Sequence, residues 1–90
     1  MLRDLAVLVN DSVAWQQIVD AVESLGDSRI QSVELFDVYR GNGVPEGYQS
    51  LALSLSLQDP EKTLDDGAIQ ELVDQVVRIL GDQTGAELRG

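Results

Sequence analysis

Tyr48-Gln49-Ser50-Leu51-Ala52-Leu53-Ser54-Leu55-Ser56-Leu57 is the stretch that decides the fold. Four leucines at every second position, separated by serines and alanine, match the two-residue period of a β-strand and no helical period. Such a strand has one buried face and one bare face, so it belongs to a sheet covered on a single side. The rest of the chain must supply partner strands and a cover for the leucines.

Both lie close by. Upstream, Ile30 to Tyr39 (Ile-Gln-Ser-Val-Glu-Leu-Phe-Asp-Val-Tyr) predicts a second strand, joined to the first by Gly41-Asn42-Gly43-Val44-Pro45-Glu46-Gly47. Asn-Gly within a glycine-rich connection favours a hairpin. Leu2 to Val9 is short, apolar and partly β-branched, as a buried strand is. Asn10-Asp11-Ser12 then offers three candidate helix caps. From Val13 to Leu25, Ala14, Ile18, Ala21, Val22 and Leu25 recur at one-face helical spacing, with Gly26 as a stop. After Gln58 to Lys62, the run Thr63-Leu64-Asp65-Asp66 resembles a capping box with Asp in place of Glu. Ile69, Leu72, Val73, Val76 and Leu80 form a second stripe that Gly81 is expected to end, and Thr84 to Arg89 reads as an edge strand. The order β-α-β-β-α-β, with right-handed crossovers about a hairpin, predicts an α+β ferredoxin-like split fold. Its antiparallel sheet has strand order 4-1-3-2, with both helices on one face.

Composition limits the function classes. Ninety residues make one domain. Cysteine and histidine are absent, which removes disulfides, thiolate chemistry and the usual parts of metal sites and nucleophile–base pairs. No Ser/His/Asp or paired-carboxylate arrangement is visible, so no catalytic or metal residue is assigned. Nor does any apolar run suffice to span a bilayer. The chain carries 16 acids against 6 bases, a net charge of −10. Free-standing nucleic-acid binders are usually basic, so composition alone argues against RNA. Acids on the helices, Asp20, Glu23, Glu71 and Asp74, fall on the far side of the sheet, whereas Arg3 and Arg40 adjoin the bare face.

Alternation predicts what lines that face. Ser50, Ala52, Ser54 and Ser56 point outward, as do Asp4, Ala6 and Leu8 if Leu5, Val7 and Val9 point inward. On the second strand Phe36 and Val38 suit the core, leaving Asp37 and Tyr39 outside. Val33 and Leu35 would then share the face of Asp37 unless a bulge intervenes. Pairing Tyr39 with Tyr48 would set Asp37 opposite Ser50 and make the tyrosines cross-strand neighbours. Small residues beside a phenol, a hydroxyl and a carboxylate are the parts with which open sheets stack unpaired bases and read their edges. An Ala/Ser face is equally what a sheet presents to a neighbouring domain, and a dimerising or purely structural ferredoxin-like domain is the alternative.

Several segments carry a family resemblance: Arg3-Asp4-Leu5-Ala6, Val33-Glu34-Leu35-Phe36-Asp37-Val38-Tyr39-Arg40-Gly41, Glu46-Gly47 with Ser50-Leu51-Ala52, Thr63-Leu64-Asp65-Asp66 and Gly85-Ala86-Glu87-Leu88-Arg89. Together they resemble the C-terminal ferredoxin-fold anticodon-binding domain of bacterial phenylalanine–tRNA ligase β-subunits, over nearly the whole chain. The resemblance implies the same fold and an anticodon-loop binding role. Tyr39 would stack on a base, Asp37 and Ser50 would contact base edges, and Ala6 would make room. Arg40 and Tyr48 adjoin these as further RNA-binding candidates. Many members carry lysines where Tyr48 and Gln49 stand, which removes two phosphate contacts. Residues 1–90 would be one domain of a much longer cytoplasmic chain. Phenylalanine tRNA, a catalytic α-subunit in a heterotetramer of two α and two β chains, ATP and magnesium enter only through that parent. The isolated domain is expected to be a monomer without cofactors of its own.

Overall fold

The computed structural model describes residues 1–89. Six elements follow in the expected order: β1 (Leu2–Asn10), α1 (Trp15–Glu23), β2 (Ile30–Tyr39), β3 (Tyr48–Leu57), α2 (Asp66–Thr84) and β4 (Glu87–Leu88). The sheet runs β2-β3-β1-β4, which is 4-1-3-2 read from the other edge, and every pairing is antiparallel.

The leucines of β3 decide the packing. Leu51, Leu53, Leu55 and Leu57 are buried with Leu5, Val7 and Val9 of β1, against Ile18, Ala21 and Val22 of α1 and Ile69, Leu72, Val73, Val76 and Leu80 of α2. All belong to one core, so both helices lie on one side of the sheet. Burying each large aliphatic side chain contributes about 1.5–3 kcal/mol. Trp15 packs on this core as a partly buried neighbour.

The helix ends depart from the sequence expectations. None of Asn10, Asp11 or Ser12 caps α1. Its cap is Ala14, whose N–H donates to Gln17 Oε1 at 2.8 Å, while the Asn10 carbonyl side chain accepts from Ser12 N–H at 2.9 Å in a local turn. At α2 the cap is Asp65, not Thr63, accepting from Ala68 N–H at 2.7 Å. Gly81 continues α2, and its carbonyl accepts from the Gly85 N–H at 3.0 Å. The helix stops at Gly85, whose φ of +72° is left-handed backbone that favours glycine.

Strand β2 resolves its conflict of phase with bulges. Leu35 lies opposite Leu53, but Asp37 lies opposite Ala52, so Phe36 is an extra residue in the ladder; a second shift falls between Ile30 and Ser32. Val33 and Leu35 therefore share the leucine side, while Asp37 and Tyr39 take the bare side. The expectation that Phe36 and Val38 are core residues is corrected: Phe36 is 60% exposed and Val38 43%. Only the first part of β2, at Ile30 and Val33, packs on the core, and the segment from Leu35 to Tyr39 is exposed. Before β2, Arg29 grips Asp27 through two parallel hydrogen bonds of 3.0 and 2.7 Å and fixes the turn out of α1.

Candidate nucleic-acid interface

With both helices on one side, the opposite face is open, and its residues fall into rows that cross the strands. Asp37 lies opposite Ala52 and Ala52 opposite Ala6. Ala6 in turn accepts a hydrogen bond from the Arg89 backbone N–H at 2.7 Å. One row thus reads Arg89, Ala6, Ala52, Asp37. The next reads Glu87, Leu8, Ser50, Tyr39. The expected pairing of Tyr39 with Tyr48 is corrected: Tyr39 stands opposite Ser50, and Tyr48 opposite Asn10. The connection after Tyr39 is eight residues long, with its own turns at Gly41–Val44 and Pro45–Tyr48, so the register is not that of a two-residue Asn-Gly hairpin.

A shallow depression of about 340 Å³ is lined by Ala6, Asp37, Tyr39, Ser50, Ala52 and Arg89. Four of the six residues singled out from sequence meet here: Ala6, Asp37, Tyr39 and Ser50. Ser50, 4% exposed, forms part of its floor. The alanines keep the middle low enough for a flat ring to lie against the sheet. The Tyr39 hydroxyl donates to the Asn42 carbonyl at 3.0 Å, which holds the phenol over the hairpin loop, and a Cβ at Gly41 would stand 3.3 Å from that hydroxyl. One Asp37 oxygen accepts from the Val38 N–H at 2.9 Å and orients the carboxylate; the other is left for a ligand's donor. An ionised carboxylate only accepts hydrogen bonds, so the free Asp37 oxygen can take one from an N–H or O–H donor.

The other two candidates lie elsewhere. Arg40 hydrogen-bonds Gln49 at 2.8 Å and Asp11 at 3.4 Å, which turns it away from the depression. Tyr48 is half-exposed on the open side beyond Ser50 but does not line the hollow. Arg3 alternates in phase with buried Leu5 and belongs to the helix side. The cation at the depression is Arg89, whose guanidinium carbon sits 5.3 Å from the Tyr39 ring centroid. In the sequence it closed the expected edge strand Thr84 to Arg89 and the resembling segment Gly85 to Arg89 without being singled out; the register of β4 with β1 brings it to the depression.

Charge is distributed unevenly along the face. Two rows from Tyr39, Asp4 and Glu34 flank Ser54 from opposite sides, an acidic row that repels phosphate. At the Tyr39–Arg89 end the cation Arg89 stands with the carboxylates of Asp37 and Glu87 in the adjoining rows. A larger hollow of about 620 Å³ lies beside Asp59 to Leu64 but offers no aromatic plane. Among the described residues no group of three or more acidic side chains is arranged to hold a metal ion, and no helix is long and apolar enough to cross a membrane.

A split β-α-β-β-α-β sheet with one bare face, a pinned phenol and an oriented carboxylate defines an open-faced ferredoxin-like binding domain. More narrowly, the chain belongs to the ferredoxin-fold anticodon binding domain family, whose model matches residues 1–89. It is 46% identical over 87 residues to phenylalanine–tRNA ligase β-subunits of Mannheimia succiniciproducens and Haemophilus influenzae, and 39% identical to that of Streptococcus agalactiae. Each alignment covers 97% of this chain and 11% of the relative, so the chain spans about a ninth of these proteins.

Proposed function

We propose that residues 1–90 form the anticodon-loop binding module of a phenylalanine–tRNA ligase β-chain and support aminoacylation of phenylalanine tRNA. The observation that carries this reading is the meeting of Ala6, Asp37, Tyr39 and Ser50 in one depression on the open face. Unpaired bases stack on the Tyr39 ring, a contact typically worth about 1–3 kcal/mol. Asp37 and Ser50 address base edges, and Ala6 and Ala52 admit the ring. The relatives' name supports the RNA partner, and their length supports a larger chain in which this is one domain. In that parent a catalytic α-subunit, two α and two β chains together, ATP and magnesium supply the chemistry, in the cytoplasm. The residues here do not fit an ATP–magnesium site. Gly41 to Gly47 joins two strands and aims no helix N-terminus at a phosphate, so no catalytic step is assigned to them.

Charge sets the expected affinity. With a net charge of −10 and one arginine at the depression, binding by the isolated domain is weak and falls with salt. The test is an NMR titration of the 90-residue chain with the anticodon stem-loop of phenylalanine tRNA. Shifts centred on Asp37, Tyr39 and Ser50 are expected. No response at millimolar RNA, or a response confined to the helices, refutes the reading. If the face merely packs on a neighbouring domain, Tyr39→Ala in the full ligase leaves aminoacylation intact.

A further inference from the structure

Arg89 starts from the edge of the sheet furthest from Tyr39. Its main chain is fixed by the bond to Ala6, and three strand spacings, about 14 Å, separate β4 from β2. The side chain nevertheless crosses the alanine row and places its guanidinium over the Tyr39 ring at 5.3 Å, within the range where a cation is held by an aromatic face. The hairpin loop meets it there: a Cβ on Gly43 would lie 3.2 Å from the guanidinium nitrogen, tighter than an ordinary contact. Among the described residues the ion pairs are Arg29 with Asp27 and Arg40 with Asp11, and within that same set Arg89 has no carboxylate partner and donates no side-chain hydrogen bond. Among the described residues the ring is therefore its principal side-chain contact. A flat cation already lies where a nucleobase would lie.

Resting on the function proposed above, we infer that Arg89 makes the Tyr39 platform selective for phosphate-bearing nucleotides over neutral flat molecules. A ring that stacks on this face of Tyr39 takes the place of the guanidinium. A neutral ligand forfeits the cation–ring contact and gives nothing back. A nucleotide offers the released guanidinium a phosphate, with which it forms charge-assisted, often paired, hydrogen bonds. Such a contact at an exposed site is worth about a two- to fivefold change in affinity. The residue thus acts as a filter as well as a ligand, and the two roles have opposite signs for a nucleoside.

The test compares adenosine with adenosine 5′-monophosphate on isotope-labelled chain, wild type and Arg89→Gln, following Tyr39 and the Arg89 side chain by NMR. In the free protein the Arg89 methylene protons should show an upfield ring-current shift that Tyr39→Leu abolishes. Arg89→Gln should bind adenosine about two- to fivefold more tightly than wild type and lose its preference for the monophosphate. Arg89→Lys, which keeps the charge, should retain part of that preference. An undiminished preference in Arg89→Gln, or unchanged or weaker adenosine binding, overturns the inference and leaves the anticodon reading standing. If the adenosine ligands and the anticodon stem-loop alike leave Tyr39 unmoved, both fall together.

Discussion

Leu35 and Asp37 stand two positions apart on one strand and yet face opposite sides of the sheet. In a regular strand residues i and i+2 share a face. The extra residue, Phe36, reverses the phase between them, so Val33 and Leu35 join the leucine side while Asp37 and Tyr39 reach the bare one.

Deleting Phe36 should therefore do far more harm than truncating it. Without the bulge, one half of β2 must turn over: either Val33 and Leu35 leave the leucine side, or Asp37 and Tyr39 enter it. We expect a loss on the order of 2–4 kcal/mol of stability, or an intact fold with the depression dismantled. Phe36→Ala, at a largely exposed side chain, should cost less than about 1 kcal/mol. Urea unfolding with amide spectra of both variants checks this; equal effects would contradict the role given to the bulge.

Tyr39→Ala should separate binding from folding. The residue is 41% exposed, so removing its ring should shift the unfolding free energy by less than about 1 kcal/mol. Affinity for the anticodon stem-loop should fall by about 1–3 kcal/mol, read by anisotropy at low salt. Tyr39→Phe keeps the plane, loses only the bond to Asn42, and should bind within a few-fold of wild type.

Leu53 and Leu2 make a paired test of the sheet's two sides. Leu53 is fully buried, whereas Leu2 is 71% exposed on the open face. Leu53→Ala should cost about 2–5 kcal/mol through lost transfer energy and the cavity left behind. Leu2→Ala should lie within about 0.5 kcal/mol of wild type by chemical denaturation.

Acid should loosen the turn before β2. The Arg29 guanidinium, hydrogen-bonded to the Asp27 carboxylate, holds that carboxyl below its ordinary 3.8, against an opposing effect of partial burial. A folded value below the unfolded one contributes stability that is complete above the unfolded range and lost as pH falls through the lower folded value. Asp27→Asn should be less stable than wild type at pH 7, and the difference should shrink as pH drops below about 4. Unfolding midpoints at several pH values measure it; a gap independent of pH would contradict the ion pair's part.

How much of this could be read from sequence depended on range. Leu51 to Leu57 announced the sheet because a two-residue period is local and strict. The bulge was visible only as a contradiction, Val33 and Leu35 out of phase with Asp37, and nothing local said which residue absorbs it. Asn42-Gly43 suggested a tight turn, but Pro45 and the glycines around it build a longer connection, and the register moved by two residues. Asp65 won the cap from Thr63 because both have suitable oxygens and only the start of packing at Ile69 chooses between them. Ala6 and Ser50 were placed by alternation, whereas Asp37 and Tyr39 were placed outside by giving Phe36 and Val38 to the core, residues the structure leaves exposed. Arg89 was missed because its contact with Tyr39 spans the whole width of the sheet.

The two irregularities in β2 have a consequence for how these molecules coexist in solution. The outer side of β2 is an unpaired row of backbone groups next to exposed Leu35, Phe36 and Val38, the conditions under which foreign strands add to a sheet. A kink near Gln31 and another at Phe36 leave only a few evenly spaced residues between them. An incoming chain would run out of matching donors and acceptors almost at once, so the distortion that aims Asp37 and Tyr39 outward also blunts the border most exposed to fibril growth.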